Sequence, residues 1–306
     1  MNNFIFMLMP LVFIAIVYVA LTLTMSLLKF YHARKKRRSP FTDKFLRAPG
    51  QSLLQKIDDI NAELHAYLAF SIAIPFIMYS GYMSEIFFRE RPLVSSPLII
   101  YTAMGVIAIG IFIFIIVRLF NSRRIIRLGY DGEIATSQEL NRLMLQGYYV
   151  YHDFVADKFN IDHIVVGPAG VFAVETKGRA KPVSGNGAAD AKVIYDGNRL
   201  QFPKSVEVKP LEQAKIQAQW LERWLSSATG EKTQVRPVLA LPGWFVERTS
   251  SKGIPVINPK VFKSIAKPID GNILDERRIK SIVHQIEQRC KNIESIAVEG
   301  LGGSGK

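Results

Sequence analysis

Residues 160–177 read NIDHIVVGPAGVFAVETK, which places Asp162, Glu175 and Lys177 in a D-x12-E-x-K pattern on apolar, β-branched text. Ile161 to Val166 and Val171 to Thr176 have strand composition. Gly167-Pro168-Ala169-Gly170 between them is turn chemistry, so the stretch predicts a β-hairpin with a four-residue loop. With Val166 opposite Val171, antiparallel register sets Ile164 against Ala173 and Asp162 against Glu175. Side chains alternate across a strand, so Lys177 emerges on the face of both carboxylates, while Phe172 and Val174 point to the other side. One face is then ionic and the other core.

Directly opposed side chains stand about 4.5–5.5 Å apart at Cβ, where like charges repel. At roughly 4 Å two unit charges cost about 1 kcal/mol in water and about 4 kcal/mol at an effective dielectric near 20, so paired carboxylates in a cleft demand a cation or a shared proton. Lys177 alone can neutralise one of them. A hard divalent ion, Mg2+ or in its place Mn2+, takes oxygen ligands, satisfies both and leaves positions open for a phosphate oxygen.

Asp162, Glu175, Thr176 and Lys177 resemble the signature of the PD-(D/E)XK nuclease superfamily. Gly129-Tyr130-Asp131-Gly132-Glu133 opening a helix, IDHIVVGPAGVFAVETK, and Gln213 within PLEQAKIQAQWL narrow the likeness to the NERD, or nuclease-related, domain across roughly residues 125 to 245. Ile161 stands where the superfamily's name has Pro. The resemblance implies that Asp162 and Glu175 ligate the metal and that Lys177 orients or activates the attacking water. It adds Glu133 as a further acidic group and Gln213 as a contact to the site or to the nucleic-acid backbone. Its activity is hydrolysis of phosphodiester bonds, in DNA rather than RNA. Glu133 reads as a first-turn residue of a helix capped by Asp131, where the dipole favours acids. Gln213 lies one turn into a helix opened by Pro210. His163 alternates to the face opposite Asp162 and reads as a packed histidine.

Two other classes of function share these residues. One is a catalytically silent module that tethers nucleic acid or protein to a membrane. The other is a scaffold in which the carboxylates merely pair with Lys177.

The chain has 306 residues, 49% of them hydrophobic, and one cysteine. Phe4 to Leu28, Ala66 to Phe88 and Leu98 to Phe120 are each long enough, at 1.5 Å per residue, to cross a hydrocarbon core of about 30 Å. The expected architecture is therefore an α-helical membrane region of three helices over 1–120 and an α/β domain over 121–300. The domain carries a central mixed sheet flanked by helices, as the resemblance implies, and 301–306 form a flexible tail. Met1 to Leu28 has neither a basic lead-in nor an Ala-x-Ala site, so it reads as an uncleaved anchor. Lys29, Arg34 to Arg38, Lys44 and Arg47 face only Asp43, whereas the loop 89–97 holds two Arg and one Glu. Basic excess marks the cytoplasmic side, which puts the N-terminus outside and the C-terminal domain in the cytoplasm of a multi-pass inner-membrane protein. The basic run beside the first span is assigned to lipid headgroups. Leu53, Leu54, Ile57, Ile60 and Leu64 form a helical stripe suited to a membrane surface.

Residues 121–306 carry 27 Lys and Arg against 20 Asp and Glu, a net of +7 that favours a polyanionic partner. Strands are expected at 193–195, 200–202, 235–241 and 254–257, and helices at 210–226, 259–265 and 274–291. Trp220 and Trp224, four apart, read as core rather than as base-stacking platforms. Arg179 and Lys181 are the better phosphate contacts. One cysteine, Cys290, excludes an intrachain disulfide and a multi-cysteine zinc site. The five histidines have no ligand spacing, and the terminal G-x-x-x-x-G-K lacks the Ser or Thr and the helix of a P-loop. No residue assigns an oligomeric state.

Overall fold

The computed structural model describes residues 2–34, 43–89, 95–182, 191–268 and 273–293. They fall into two units, one holding the N-terminal helix with Ile57–Arg124, the other Asp43–Lys56 with Ile125–Glu294. The basic residues 35–38, most of the 89–97 loop and the terminal G-x-x-x-x-G-K lie outside the described residues.

The first unit is helical. Its chain belongs to α1 (Asn2–Arg34), α2 (Gln51–Arg89) and α3 (Ser95–Asn141). Two helices, over Gln51–Phe87 and Leu98–Gln146, are long and apolar enough to cross a membrane. Phe70, Ile72, Ile107 and Phe114 on them are exposed, the inverse of a water-soluble packing. Three spans are expected; two helices qualify among the described residues, and on α1 the described apolar stretch is Ala15–Leu28, the side chains of residues 2–11 lying outside the described ones.

The second unit is α/β with two mixed sheets. After α3 come β2 (Tyr149–Val155), β3 (Asn160–Gly167) and β4 (Gly170–Thr176), then β5 (Lys192–Tyr195), β6 (Leu200–Phe202) and β7 (Ser205–Glu207). Helix α4 (Lys209–Thr229) leads to β8 (Val235–Ala240), β9 (Phe245–Arg248), β10 (Val256–Ile257), α5 (Glu276–Cys290) and β11 (Lys291–Ile293), which pairs with β1 (Phe45–Leu46). The main sheet has the order β10-β8-β4-β3-β2, the second β7-β6-β5-β9. β2, β3 and β4 are antiparallel neighbours, whereas β4 and β8 run parallel. Pro237 can sit within β8 because β10 pairs only with Leu239 and Ala240, so no ladder bond is lost on that side.

The hairpin has the expected register, Val166↔Val171 and Ile164↔Ala173, but the ladder runs one pair further, to Gly167↔Gly170. The loop is therefore two residues, Pro168-Ala169, with Gly170 at a φ of +119° that other residues rarely adopt. Both faces of the sheet are core. Ile164, Val171 and Ala173 pack with Leu221 and Leu225 of α4 and Ile282 and Ile286 of α5. Val165, Phe172 and Val174 pack with Leu140 of α3 and with Phe262. The ionic residues do not make a face; they occupy one end of strands buried on both sides, as central strands in α/β folds are.

Asp153 joins the N-terminal segment of this unit to β2. The residue is buried and left-handed, at φ 48°. Its Oδ2 accepts from Arg47 Nε and Nη2 at 2.9 and 2.6 Å and from Ser52 N and Oγ at 2.9 and 2.8 Å. Its Oδ1 accepts from Asn160 Nδ2 at 3.0 Å. The donors offset the cost of burying the charge and hold a backbone conformation that Asp tolerates only singly.

Candidate active site

The last bridged pair of the β3–β4 hairpin is His163↔Val174. Beyond it Asp162 turns Oδ2 onto the backbone N–H of Thr176 at 2.6 Å, so a carboxylate takes over where the ladder ends. β4 continues along β8, with Glu175 beside Leu239 and Thr176 beside Ala240, and Lys177 N donates to Ala240 O at 3.0 Å. Glu175 and Lys177 therefore project from backbone fixed on the β8 side, and Asp162 is tied to the residue between them.

Glu175 is 1% exposed. Its Oε1 receives Lys177 Nζ at 2.5 Å and its Oε2 receives Gln217 Nε2 at 2.6 Å. The same Nε2 donates to the Asn160 carbonyl at 3.0 Å, so Gln217 on α4 ties the start of β3 to the end of β4. Glu133 projects from α3 beyond that helix's apolar stretch, into the α/β unit. It is buried, accepts the Gly50 N–H, and leaves Oε2 with no hydrogen-bond partner among the described residues.

These acids share one field. Burial, then Asp153 and Glu175, push the Glu133 carboxyl up to about 8, against the pull of the Gly50 N–H and Lys177. Asp162 is held well above the usual carboxylate range by burial, Glu175 and Glu133, opposed by the Thr176 N–H and Lys177. The residue keeps some exposed surface, but dense protein around the carboxyl makes burial the largest influence. Glu175 is raised by burial and restrained by Lys177 and Gln217. Three carboxyls facing one amine hold either protons or a further cation.

The donor set suits a hard ion in kind: carboxylate oxygens, one of them, Glu133 Oε2, buried without a partner. Among the described residues no three His, Cys, Asp or Glu side chains converge to hold a metal between them. One or two carboxylates, with water or phosphate completing the shell, would be the kind of site Mg2+ takes.

Asp162, Glu175, Lys177 and Glu133 are thus brought within mutual electrostatic reach. Gln213 is not among them: it is exposed on α4 and lines a cleft of about 560 Å3 with Lys177 and Arg179. Gln217, one turn on, makes the contact to Glu175 and is a site residue that the motifs do not include. The signal was a polar residue interrupting the buried stripe Leu211, Ala214, Ala218, Leu221 and Leu225. Asp131 caps nothing. It and Glu133 lie inside α3, where Asp131 pairs with Arg127 Nε at 3.1 Å. His163 is fully buried with Nδ1 2.9 Å from Nδ1 of His152, and burial lowers both pKa values, His152 to about 4, so the pair is neutral packing. Trp220 and Trp224 stack on each other beneath the Arg289 guanidinium, against the core.

Residues 128–242 match the family model described as NERD, nuclease-related domain. Searches of the curated proteins and of the solved structures gave no match.

Proposed function

From the match of residues 128–242 to the nuclease-related domain, we propose that the chain is a membrane-anchored nuclease that hydrolyses phosphodiester bonds, of DNA in preference to RNA. The observation that carries the reading is the join of Asp162 to the Thr176 N–H beside the Lys177–Glu175 pair. It gathers two acids and an amine at the end of one strand, where a phosphate can approach from the cleft lined by Lys177.

Asp162 and Glu175 would hold Mg2+, or Mn2+, with Glu133 as a further acid behind them. When bound, the ion supplies Lewis-acid polarisation of a phosphoryl oxygen. Lys177 presents its ammonium to the attacking water and to the charge that develops as the water oxygen bonds to phosphorus and the bridging P–O bond breaks, the leaving oxygen taking up a proton. Gln217 keeps Glu175 from rotating away. A second reading, a silent nucleic-acid or protein tether, has one observation in its favour: both Glu175 oxygens are already engaged by Lys177 and Gln217.

The test uses the detergent-solubilised full chain with supercoiled and linear DNA, single strands and RNA, in Mg2+, Mn2+ or chelator. Metal-dependent cutting is expected, falling by about 100-fold or more in Lys177→Ala and Asp162→Asn, the scale of losing one preorganised charge from a site. Cutting that survives both substitutions would exclude this centre. Binding without cutting would favour the tether.

A further inference from the structure

Two clefts border Arg179, and the chemistry proposed above uses only the Lys177 edge of one of them. One, of about 560 Å3, is lined by Lys177, Arg179, Glu207, Lys209 and Gln213. The other, of about 270 Å3, is lined by Arg179, Lys181, Lys204 and the buried Trp244. Arg179 borders both, so they adjoin. Their floor is pinned: Lys177 N bonds Ala240 O at 3.0 Å, and Trp244 Nε1 donates to the Arg179 carbonyl at 3.1 Å.

The charge of these walls is one-sided. Glu207 is the one acid among the described lining residues, and both its oxygens are spent on Arg179, from Nε at 2.9 Å and Nη2 at 2.6 Å. Lys177 is paired with Glu175. Lys181, Lys204 and Lys209 are exposed and have no ion pair among the described residues. Three uncompensated ammoniums spread over two adjoining clefts suit a polymer of phosphates better than one small anion, which reaches a single cleft.

We infer that the joined clefts are the track of one nucleic-acid strand, with Lys181, Lys204 and Lys209 on successive backbone phosphates and the track ending at Lys177. In this track Glu207 is a competitor that holds Arg179 back from the phosphates. The inference rests on the nuclease reading and adds to it the path of the substrate.

The experiment titrates the full-length protein in detergent with fluorescent oligothymidine, in chelator so that no cutting intervenes, between ~50 and ~200 mM salt. Lys181→Ala and Lys204→Ala should each weaken binding several-fold and flatten the log–log salt slope by about 0.7, the value for one phosphate contact on a single strand. Glu207→Gln, which frees Arg179, should bind tighter with a steeper slope. Lys232→Ala, exposed just past the end of α4 opposite to Lys209 and lining neither cleft, should bind as the wild type does. The track is overturned if the three cleft variants match the wild type, or if Lys232→Ala loses as much as Lys181→Ala and Lys204→Ala do. A wild type that binds no nucleic acid overturns the nuclease reading together with the track. Metal-dependent cutting with unchanged binding in the cleft variants overturns the track alone.

Discussion

Glu133 is the residue whose protonation the fold constrains most visibly. Its carboxyl sits at about 8 against an ordinary 4.5, so the folded protein binds a proton there that the unfolded chain releases. Such a group adds stability below its unfolded pKa, and this is lost as pH rises through the folded value, here from about 4.5 to about 8. In divalent-free buffer the melting temperature should therefore fall across that window, and fall less in Glu133→Gln, which is neutral throughout and still able to accept from Gly50. Thermal melts in detergent at the two ends of the window measure it, and equal slopes in both proteins would remove Glu133 as the proton holder. The pairing of Asp162 with the end of β4 was legible because strand alternation is a local, period-two property. Gln217 was not, because its role depends on how α4 docks across the sheet, which no short stretch of sequence contains. The buried environment of Glu133 was hidden too. Tyr130-Asp131-Gly132 mimics a helix start, and only the tertiary structure shows α3 running through it.

At the scale of elements, α3 meets the end of β4 through two glycines. A Cβ on Gly132 would stand 3.1 Å from Gly178 Cα, and one on Gly178 would run into the Leu128 carbonyl oxygen. Both obstacles are backbone and cannot swing aside. Gly178→Ala should cost about 1–3 kcal/mol, the usual range for overpacking. It should also push Lys177 off Glu175, so that cutting falls along with the melting temperature. A variant as stable and active as the wild type would show that the crossing is loose. Sequence patterns predict the hairpin, β5, β6, α4 and α5, all built from contacts close in sequence. They do not predict β7 or β9, short strands of three and four residues. β9 pairs in parallel with β5, some fifty residues upstream in the chain. Pairings of that kind have no local signature.

For the whole molecule, the distribution of Lys and Arg sets the expected sidedness. If the α/β unit is cytoplasmic, a phosphatase fused at the C-terminus should be silent and one inserted at Pro92 active, with the pattern reversed for a cytoplasmic reporter. A C-terminus on the outer side would separate the proposed catalyst from cellular DNA. The Asp153 junction has a separate consequence for how this protein can be handled. Arg47 and Ser52 precede the apolar stretches 66–88 and 98–120 in the chain, and Asp153 follows them, so the α/β unit is assembled from both flanks of those two stretches. A fragment begun after the last apolar stretch would keep the buried carboxylate and discard four of its five hydrogen bonds, along with the β1 partner of β11. Uncompensated charges of that kind cost about 3–5 kcal/mol, a large part of what holds a domain together. The α/β half is not a detachable cassette, and on the ribosome its folding must wait until both long apolar helices have been made.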